Sequence, residues 1–246
     1  MFKKLVLGLA AAILLSQSAQ AAGKTLTIAM DATWPPMEFI NEKKEIVGFD
    51  ADYLKAVAKE AGFTLVMKNV AWDGIFAGLE SGKYDAVCSS VTITDERKKA
   101  MDFTKPYFKV RQALVVPKTT KAKSLAEMKG KNLGGQIGTT GMFAIKKAEG
   151  VTAKSYDEIG LAMEDLFNGR IDGVVCDDPV AAQYALQKKE YAAKLKIAAV
   201  LETGDEWYGI AVKKGNKEVL DLLDKGIEAV QKKGADKALR KKWIEQ

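Results

Sequence analysis

Apolar positions recur along the chain with two different periods, and the two alternate. Thr25 to Met30 and Thr64 to Asn69 are short β-branched and apolar runs that predict strands. Between them, Phe49, Tyr53, Leu54 and Val57 share one face of a helix over 49–61, which Gly62 stops. Trp72 to Leu79 predicts a second helix ending near Gly82, and Tyr84 to Cys88 a third strand. Thr94-Asp95-Glu96-Arg97 opens a short helical turn, and Ala113 to Val116 is a further strand. After a Lys-rich surface stretch a new unit begins, with a strand over 132–136 and helices over 142–148 and 159–167. Ile171 to Cys176, Leu195 to Leu201 and Trp207 to Val212 predict strands, and amphipathic helices over 218–233 and 235–244 close the chain. Strands alternating with helices place the protein in the α/β class with mostly parallel sheets.

One internal echo suggests two lobes built alike. Leu79-Glu80-Ser81-Gly82-Lys83-Tyr84-Asp85-Ala86-Val87 returns as Leu166-Phe167-Asn168-Gly169-Arg170-Ile171-Asp172-Gly173-Val174. In both, a helix ends at glycine, a basic residue comes next, and a short apolar strand carries an aspartate near its start.

The first residues stand apart from this pattern. Met1-Phe2-Lys3-Lys4 is positive, Leu5 to Leu15 is apolar, and Ala19-Gln20-Ala21 has the small-x-small form of a cleavage site. This predicts a secretory leader over 1–21; the apolar run is short of the ~20 residues that span a bilayer. No later stretch is apolar enough to do so, so the mature chain is expected to be exported and not embedded in a membrane.

Composition narrows the chemistry. The 246 residues include no histidine and two cysteines, so an imidazole base, a Ser-His-Asp triad and a His- or four-Cys zinc site are excluded. No metal or cofactor is expected. The formal charge of +6 falls to +4 once Lys3 and Lys4 leave with the leader. The lysines from Lys232 to Lys242 are interleaved with acids such as Asp236, which reads as a solvated helix face and not a nucleic-acid surface. Cys88 and Cys176 each end an apolar strand and read as buried free thiols.

The residues just beyond the two echoed strands carry the candidate chemistry. Ser89-Ser90-Val91-Thr92 comes after the first and Asp177-Asp178 after the second, and ligands of open α/β sheets sit beyond the carboxyl ends of strands. Arg97 can grip a carboxylate through two parallel hydrogen bonds. Gly138-Thr139-Thr140-Gly141 joins a strand to a helix and can meet the same anion. Trp34 and Trp72 lie just past strands, where indole faces can sandwich an alkyl chain or a cation. Together these describe a site for a zwitterion, with the carboxylate on Arg97, Thr92 and Thr139, the ammonium on Asp177 and the side chain between aromatic walls.

At these residues the sequence resembles the periplasmic polar amino-acid-binding proteins of ABC transporters, the solute-binding protein family 3. The stretches that carry the resemblance are Asp31-Ala32-Thr33-Trp34-Pro35-Pro36-Met37-Glu38-Phe39, Gly48-Phe49-Asp50-Ala51-Asp52, Ser90-Val91-Thr92-Ile93-Thr94-Asp95-Glu96-Arg97, Gln136-Ile137-Gly138-Thr139-Thr140-Gly141 and Tyr208-Gly209-Ile210-Ala211-Val212. It implies a two-lobed type II periplasmic binding protein fold with two crossover hinge strands, near 109–113 and 203–208. The first lobe would take 22–111 plus 205–246 and the second 112–204. It further implies that Arg97 and Thr92 hold the α-carboxylate with help from Thr139 and Thr140. Asp177 and the Ser90 backbone would hold the ammonium, Trp34 and Trp72 would flank the side chain, and Asp31 would approach its far end. The implied partners are an amino acid and the membrane permease subunits of an importer, and the implied state is a monomer.

The ligand's identity turns on charge. Asp31, and Glu38 with it, put negative charge near the side chain, while Arg97 is committed to the main carboxylate, so arginine, lysine or ornithine is expected. Glutamine is the alternative, although some glutamine binders of the family carry lysine where Gln136 stands. The same fold resembles cyclohexadienyl dehydratases, but each cleft carboxylate already has a binding role, so the expectation is a binder and not an enzyme.

Overall fold

The alternation of strand and helix is realised as two five-stranded sheets flanked by helices, in a computed structural model that describes residues 23–245. The leader expected over 1–21 lies outside those residues. In chain order the first half comprises β1 (Thr25–Met30), β2 (Thr33–Trp34), β3 (Glu38–Ile40), β4 (Ile46–Val47), α1 (Phe49–Ala61), β5 (Thr64–Asn69), α2 (Ile75–Glu80), β6 (Ala86–Val87), α3 (Asp95–Ala100), β7 (Met101–Phe103), β8 (Phe108–Val110) and β9 (Gln112–Pro117). The second half comprises β10 (Asn132–Gln136), α4 (Thr140–Lys147), β11 (Thr152–Tyr156), α5 (Ile159–Phe167), β12 (Gly173–Asp177), α6 (Asp178–Ala182), α7 (Lys189–Lys194), β13 (Leu195–Val200), β14 (Glu206–Tyr208), β15 (Ala211–Lys213), α8 (Lys217–Lys232) and α9 (Ala235–Trp243).

The first sheet has the order β5-β1-β6-β15-β7 and the second β11-β10-β12-β9-β13. Each is mixed and not mostly parallel: β1 runs parallel to β5 and β6, and β10 to β11 and β12, whereas β15 and β9 run against both of their neighbours. The reason lies in the connections. A parallel pair needs a long crossover, usually a helix. β9 leaves β8 after Arg111 alone and β15 leaves β14 after Gly209 and Ile210, so neither has such a crossover to turn it. The chain passes between the sheets through β8 and β9 and returns through β14, and β8 and β14 pair antiparallel outside both sheets. Strand carboxyl ends from both sheets therefore face one cleft.

The expected strand over 207–212 is two elements. Gly209 interrupts it where any side chain would press on Ile93, so Trp207 and Tyr208 stay with the connecting pair while Ala211 and Val212 join the first sheet. Both cysteines are buried and free, as expected.

Helix α1 turns Phe49, Tyr53, Leu54 and Val57 inward, and Gly62 closes it at a left-handed φ of 79°. Its partner is α8, whose buried face includes Val219, Leu223, Ile227 and Val230. The two helices approach over Gly226, where an added Cβ would meet the Val57 carbonyl oxygen at 2.6 Å and Val57 Cγ1 at 2.7 Å. Backbone cannot yield as a side-chain tip can, so Gly226→Ala is expected to destabilise the protein by about 1–3 kcal/mol despite alanine's better helix propensity. A thermal melt of the variant checks this, and an unchanged or higher midpoint would show that α1 and α8 can separate freely.

Candidate functional site

The cleft between the sheets holds a pocket enclosing about 320 Å³ of non-atom space, part of it open to solvent. All ten residues singled out from the sequence line it: Asp31, Trp34, Trp72, Ser90, Thr92 and Arg97 from the first sheet's side, Gln136, Thr139, Thr140 and Asp177 from the second's. Ser89 and Glu38 line it as well.

Besides the bonds at the connecting strands, hydrogen bonds cross the cavity from one side to the other. Gln136 Nε2 donates to Asp31 Oδ2 at 2.8 Å, Trp34 Nε1 to Asp177 Oδ2 at 3.3 Å, and an Arg97 terminal nitrogen to the Gly138 carbonyl at 3.1 Å. The cleft is thus closed.

Arg97 reaches the cavity from α3, whose cap Thr94 accepts the Arg97 N–H. Its other terminal nitrogen donates to the Thr92 carbonyl at 2.8 Å, so the guanidinium is held by two backbone carbonyls and keeps further N–H donors for a ligand. Its carbon stands 5.5 Å from the Trp72 ring centroid and 5.3 Å from that of Phe76, which supplies cation–π support. Burial pushes the Arg97 pKa down to about 10, with Asp177 and Glu206 opposing, so it stays charged at neutral pH.

The loop between β10 and α4 presents a helix N-terminus to the same region. Thr139 caps α4: its hydroxyl accepts from Met142 N–H and donates to the Gln136 carbonyl. Thr140 Oγ1 accepts from Gln112 Nε2 at 3.0 Å, which leaves its hydroxyl proton available. Thr140 is the more available hydroxyl of the pair.

Asp177 ends β12 and is the N-cap residue of α6, although no backbone N–H of the helix takes up its side chain. Its oxygens accept instead from Gln112 Nε2 at 2.6 Å, from Trp34 and from the Tyr208 hydroxyl. Burial, only partly offset by those donors, raises its pKa to about 7. A carboxyl so poised gains strongly from a cation placed against it. Asp31, just past β1, is also buried and raised by that burial, and accepts from Gln136 and Thr33. It borders a second recess lined by Asp73, Asp157, Glu158, Thr33, Asn69 and Ala71, without a basic residue.

Ser90 has a left-handed backbone, φ 49°, unusual for a residue with a Cβ. Its N–H donates to Asp50 Oδ2 at 2.7 Å and its hydroxyl lies against Glu38 and Asp50.

Supporting residues were not evident in the sequence. Gln112, at the start of β9, touches Asp177, Thr140 and Glu206, and so joins both connecting strands to the cavity wall. Tyr208 and Asp50 buttress Asp177 and Ser90. The one available signal was a polar residue leading an otherwise apolar run, Gln112 before Ala113 to Val116, and the structure buries it fully.

The model of the bacterial extracellular solute-binding proteins, family 3, matches residues 26–246. The chain belongs to that family. Among relatives of this solute-binding protein, the probable histidine-binding protein of Neisseria gonorrhoeae is 36% identical over 86% of this chain and 80% of its own length. ABC transporter arginine-binding protein 1 of Escherichia coli strain K12 is 36% identical over 99% of this chain and 100% of its own. Two solved structures described as an ancestral arginine-binding protein also match. The one bound to arginine is 41% identical with a TM-score of 0.85, covering 91% of this chain and 99% of its own. The one bound to glutamine is 42% identical with a TM-score of 0.84, covering 90% and 98%. The type II two-lobed architecture expected from the sequence is that of these neighbours. No helix among the described residues is long and apolar enough to cross a membrane.

Proposed function

We propose that this solute-binding protein is the extracytoplasmic receptor of an amino-acid ABC importer and closes on a basic L-amino acid, arginine, lysine or ornithine. The observation that carries the choice is the charge balance of the cavity wall: Arg97 is its one cation among the described residues, against the carboxyls of Asp31 and Asp177. With Arg97 on the α-carboxylate and Asp177 and the Ser90 carbonyl on the ammonium, Asp31 is left at the side-chain end, beside the acidic recess. A carboxylate side chain finds no partner there, whereas a guanidinium finds one. Trp34 and Trp72 line the intervening space.

Closure results from the division of the site. Each lobe holds half of the ligand's partners, so ligand binding favours the closed form that the permease subunits recognise. The lobes are 22–111 with 205–246, and 112–204, hinged where β8 runs into β9 and at β14. Nothing in this requires a covalent step, so the protein acts as a binder and not a dehydratase. The leader over 1–21 directs it to the periplasm, where it works as a monomer; N-terminal sequencing of the exported protein should begin at Ala22.

Glutamine is the second reading, favoured by Gln136 on Asp31 and by the glutamine-bound relative structure. Titration calorimetry of the mature protein against the common amino acids separates the two. Asp31→Asn is expected to weaken arginine by about 1.5–3 kcal/mol, the range of a charge-assisted hydrogen bond, and glutamine much less. Equal losses for both ligands, or glutamate bound more tightly than arginine, would overturn the assignment of Asp31 to the side chain.

A further inference from the structure

Behind Ser90 lie two carboxyl side chains, Glu38 on β3 and Asp50 on α1, both 0% exposed. The two carboxyls also bond to each other, and their other hydrogen-bond partners are neutral: Ser89, Ser90 and Tyr107. Two buried anions without a cation are costly, so one is expected to hold a proton.

The hydrogen count around Ser90 points the same way. Ser90 Oγ is 3.1 Å from Glu38 Oε2 and 3.3 Å from Asp50 Oδ2, and a hydroxyl has one hydrogen to give. Between two carboxylates, one of those contacts would have no proton in it. Asp50 Oδ2 already takes the Ser90 N–H and the Tyr107 hydroxyl, both at 2.7 Å, which suits an anion. Glu38 Oε1 takes the Ser89 hydroxyl at 2.9 Å, so on Glu38 it is Oε2 that is left to bear a proton. Asp50 Oδ1 has no hydrogen-bond partner among the described residues, and a proton there would find no acceptor.

We propose that Glu38 is protonated at neutral pH and donates to the Ser90 hydroxyl, which donates in turn to the Asp50 carboxylate, a one-way relay that positions Ser90. Glu38 and Asp50 are positioning residues. The relay and the Ser90 N–H to Asp50 bond fasten the side chain and backbone of a residue held at φ 49°, and leave its carbonyl as the group to face a ligand ammonium. The titratable groups around the pair agree. Asp31 is the charged neighbour and adds to the burial that raises Glu38 well above the ordinary range; Tyr53, Cys88, Tyr107 and Tyr208 are all pushed upward and neutral. Burial raises Asp50 as well, but less than Glu38, because the Ser90 and Tyr107 donors favour its anion. The cavity wall then carries one negative charge each for the ammonium and the side chain, and Glu38 adds none.

The role in ammonium binding rests on the function proposed above, whereas the proton does not, so the two are tested separately. Carbon-13 NMR of carboxyl-labelled wild-type protein is expected to show one glutamate carboxyl at the protonated position from pH 6.5 to 8.5, with or without arginine, and Glu38→Gln assigns it by its loss. A spectrum in which every glutamate is ionised at pH 7.5 overturns the relay, and needs no variant to fold. For positioning, Glu38→Ala is expected to weaken arginine at least twentyfold. Glu38→Gln, whose amide can still donate to Ser90 Oγ, restores affinity to within fivefold of wild type. Failure of the glutamine variant to rescue, in protein with a native circular dichroism spectrum, overturns the donor assignment. Binding of no amino acid by wild-type protein would instead remove the functional reading and leave the NMR result standing.

Discussion

Arg97→Ala is expected to bind no α-amino acid at millimolar concentration, with its circular dichroism spectrum unchanged. Two losses combine. The α-carboxylate loses a guanidinium already aimed by bonds to the Thr92 and Gly138 carbonyls and packed beside Trp72 and Phe76. Removing one partner of a buried, hydrogen-bonded charge pair costs about 2–5 kcal/mol or more. The closed cleft also loses a bond between its two sides, since Gly138 belongs to the second sheet's half and Arg97 to the first. Arg97→Lys keeps the charge but offers three donors from one nitrogen instead of a planar fork, so it cannot keep both carbonyls and grip a carboxylate through two parallel bonds, and it should recover little affinity. Titration calorimetry with arginine checks both variants, and micromolar binding by the alanine variant would show that the carboxylate is held elsewhere.

Much of this geometry could be read from the sequence because the local signals were strong. Helix α1 occupies the predicted 49–61, since four apolar residues share one face and Gly62 stops it. β1, β5, β10 and α5 likewise coincide with their predicted spans. The elements that escaped notice had weak local signals. β11 is Thr-Ala-Lys-Ser-Tyr at a sheet edge, half exposed, with no apolar alternation to mark it. The segment after Asp177 had no predicted element beyond the sign of a helix start that Pro179 gives, yet it forms α6, a π-helical turn over Gln183–Gln187 and α7, with Pro179 in the first turn of α6. Strand direction in the sheets is a tertiary property, set by where β9 and β15 leave the connecting strands, and no window of sequence contains it.

The site divides along the same line. Residues at strand ends within recognisable stretches could be named in advance, and all ten converge on one cavity. Gln112, Asp50 and Tyr208 could not, because each acts through a neighbour far away in the chain: Gln112 on Asp177, Asp50 on Ser90, Tyr208 on Asp177. Glu38 sat in a recognised stretch, but its contacts with Ser89 and Ser90 depend on β3 packing against the end of β6.

Asp177→Asn should be the second severe loss, about a hundredfold or more for arginine, and it should also abolish a pH dependence present in wild type. The asparagine matches the shape but not the charge, and its amide would face donors, Gln112 Nε2 and the Tyr208 hydroxyl, that now find a carboxylate. In the wild type, burial raises this carboxyl from 3.8 to about 7. The folded protein then holds a proton that the unfolded chain releases above about pH 4. The stability this contributes is present at low pH and is lost as pH rises through 7. A ligand ammonium reverses the balance, because it favours the anion. Arginine should therefore bind more weakly as pH falls below 7, approaching tenfold per pH unit where binding must expel the proton. Asp31 and Asp50 are also raised, so the asparagine variant is the control that isolates Asp177. The expected result is a thermal shift by arginine that is larger at pH 8 than at pH 5 in wild type and small at both in Asp177→Asn. Equal shifts at the two pH values in wild type would mean that Asp177 stays ionised throughout, and that Gln112 and Tyr208 stabilise its charge against burial on their own.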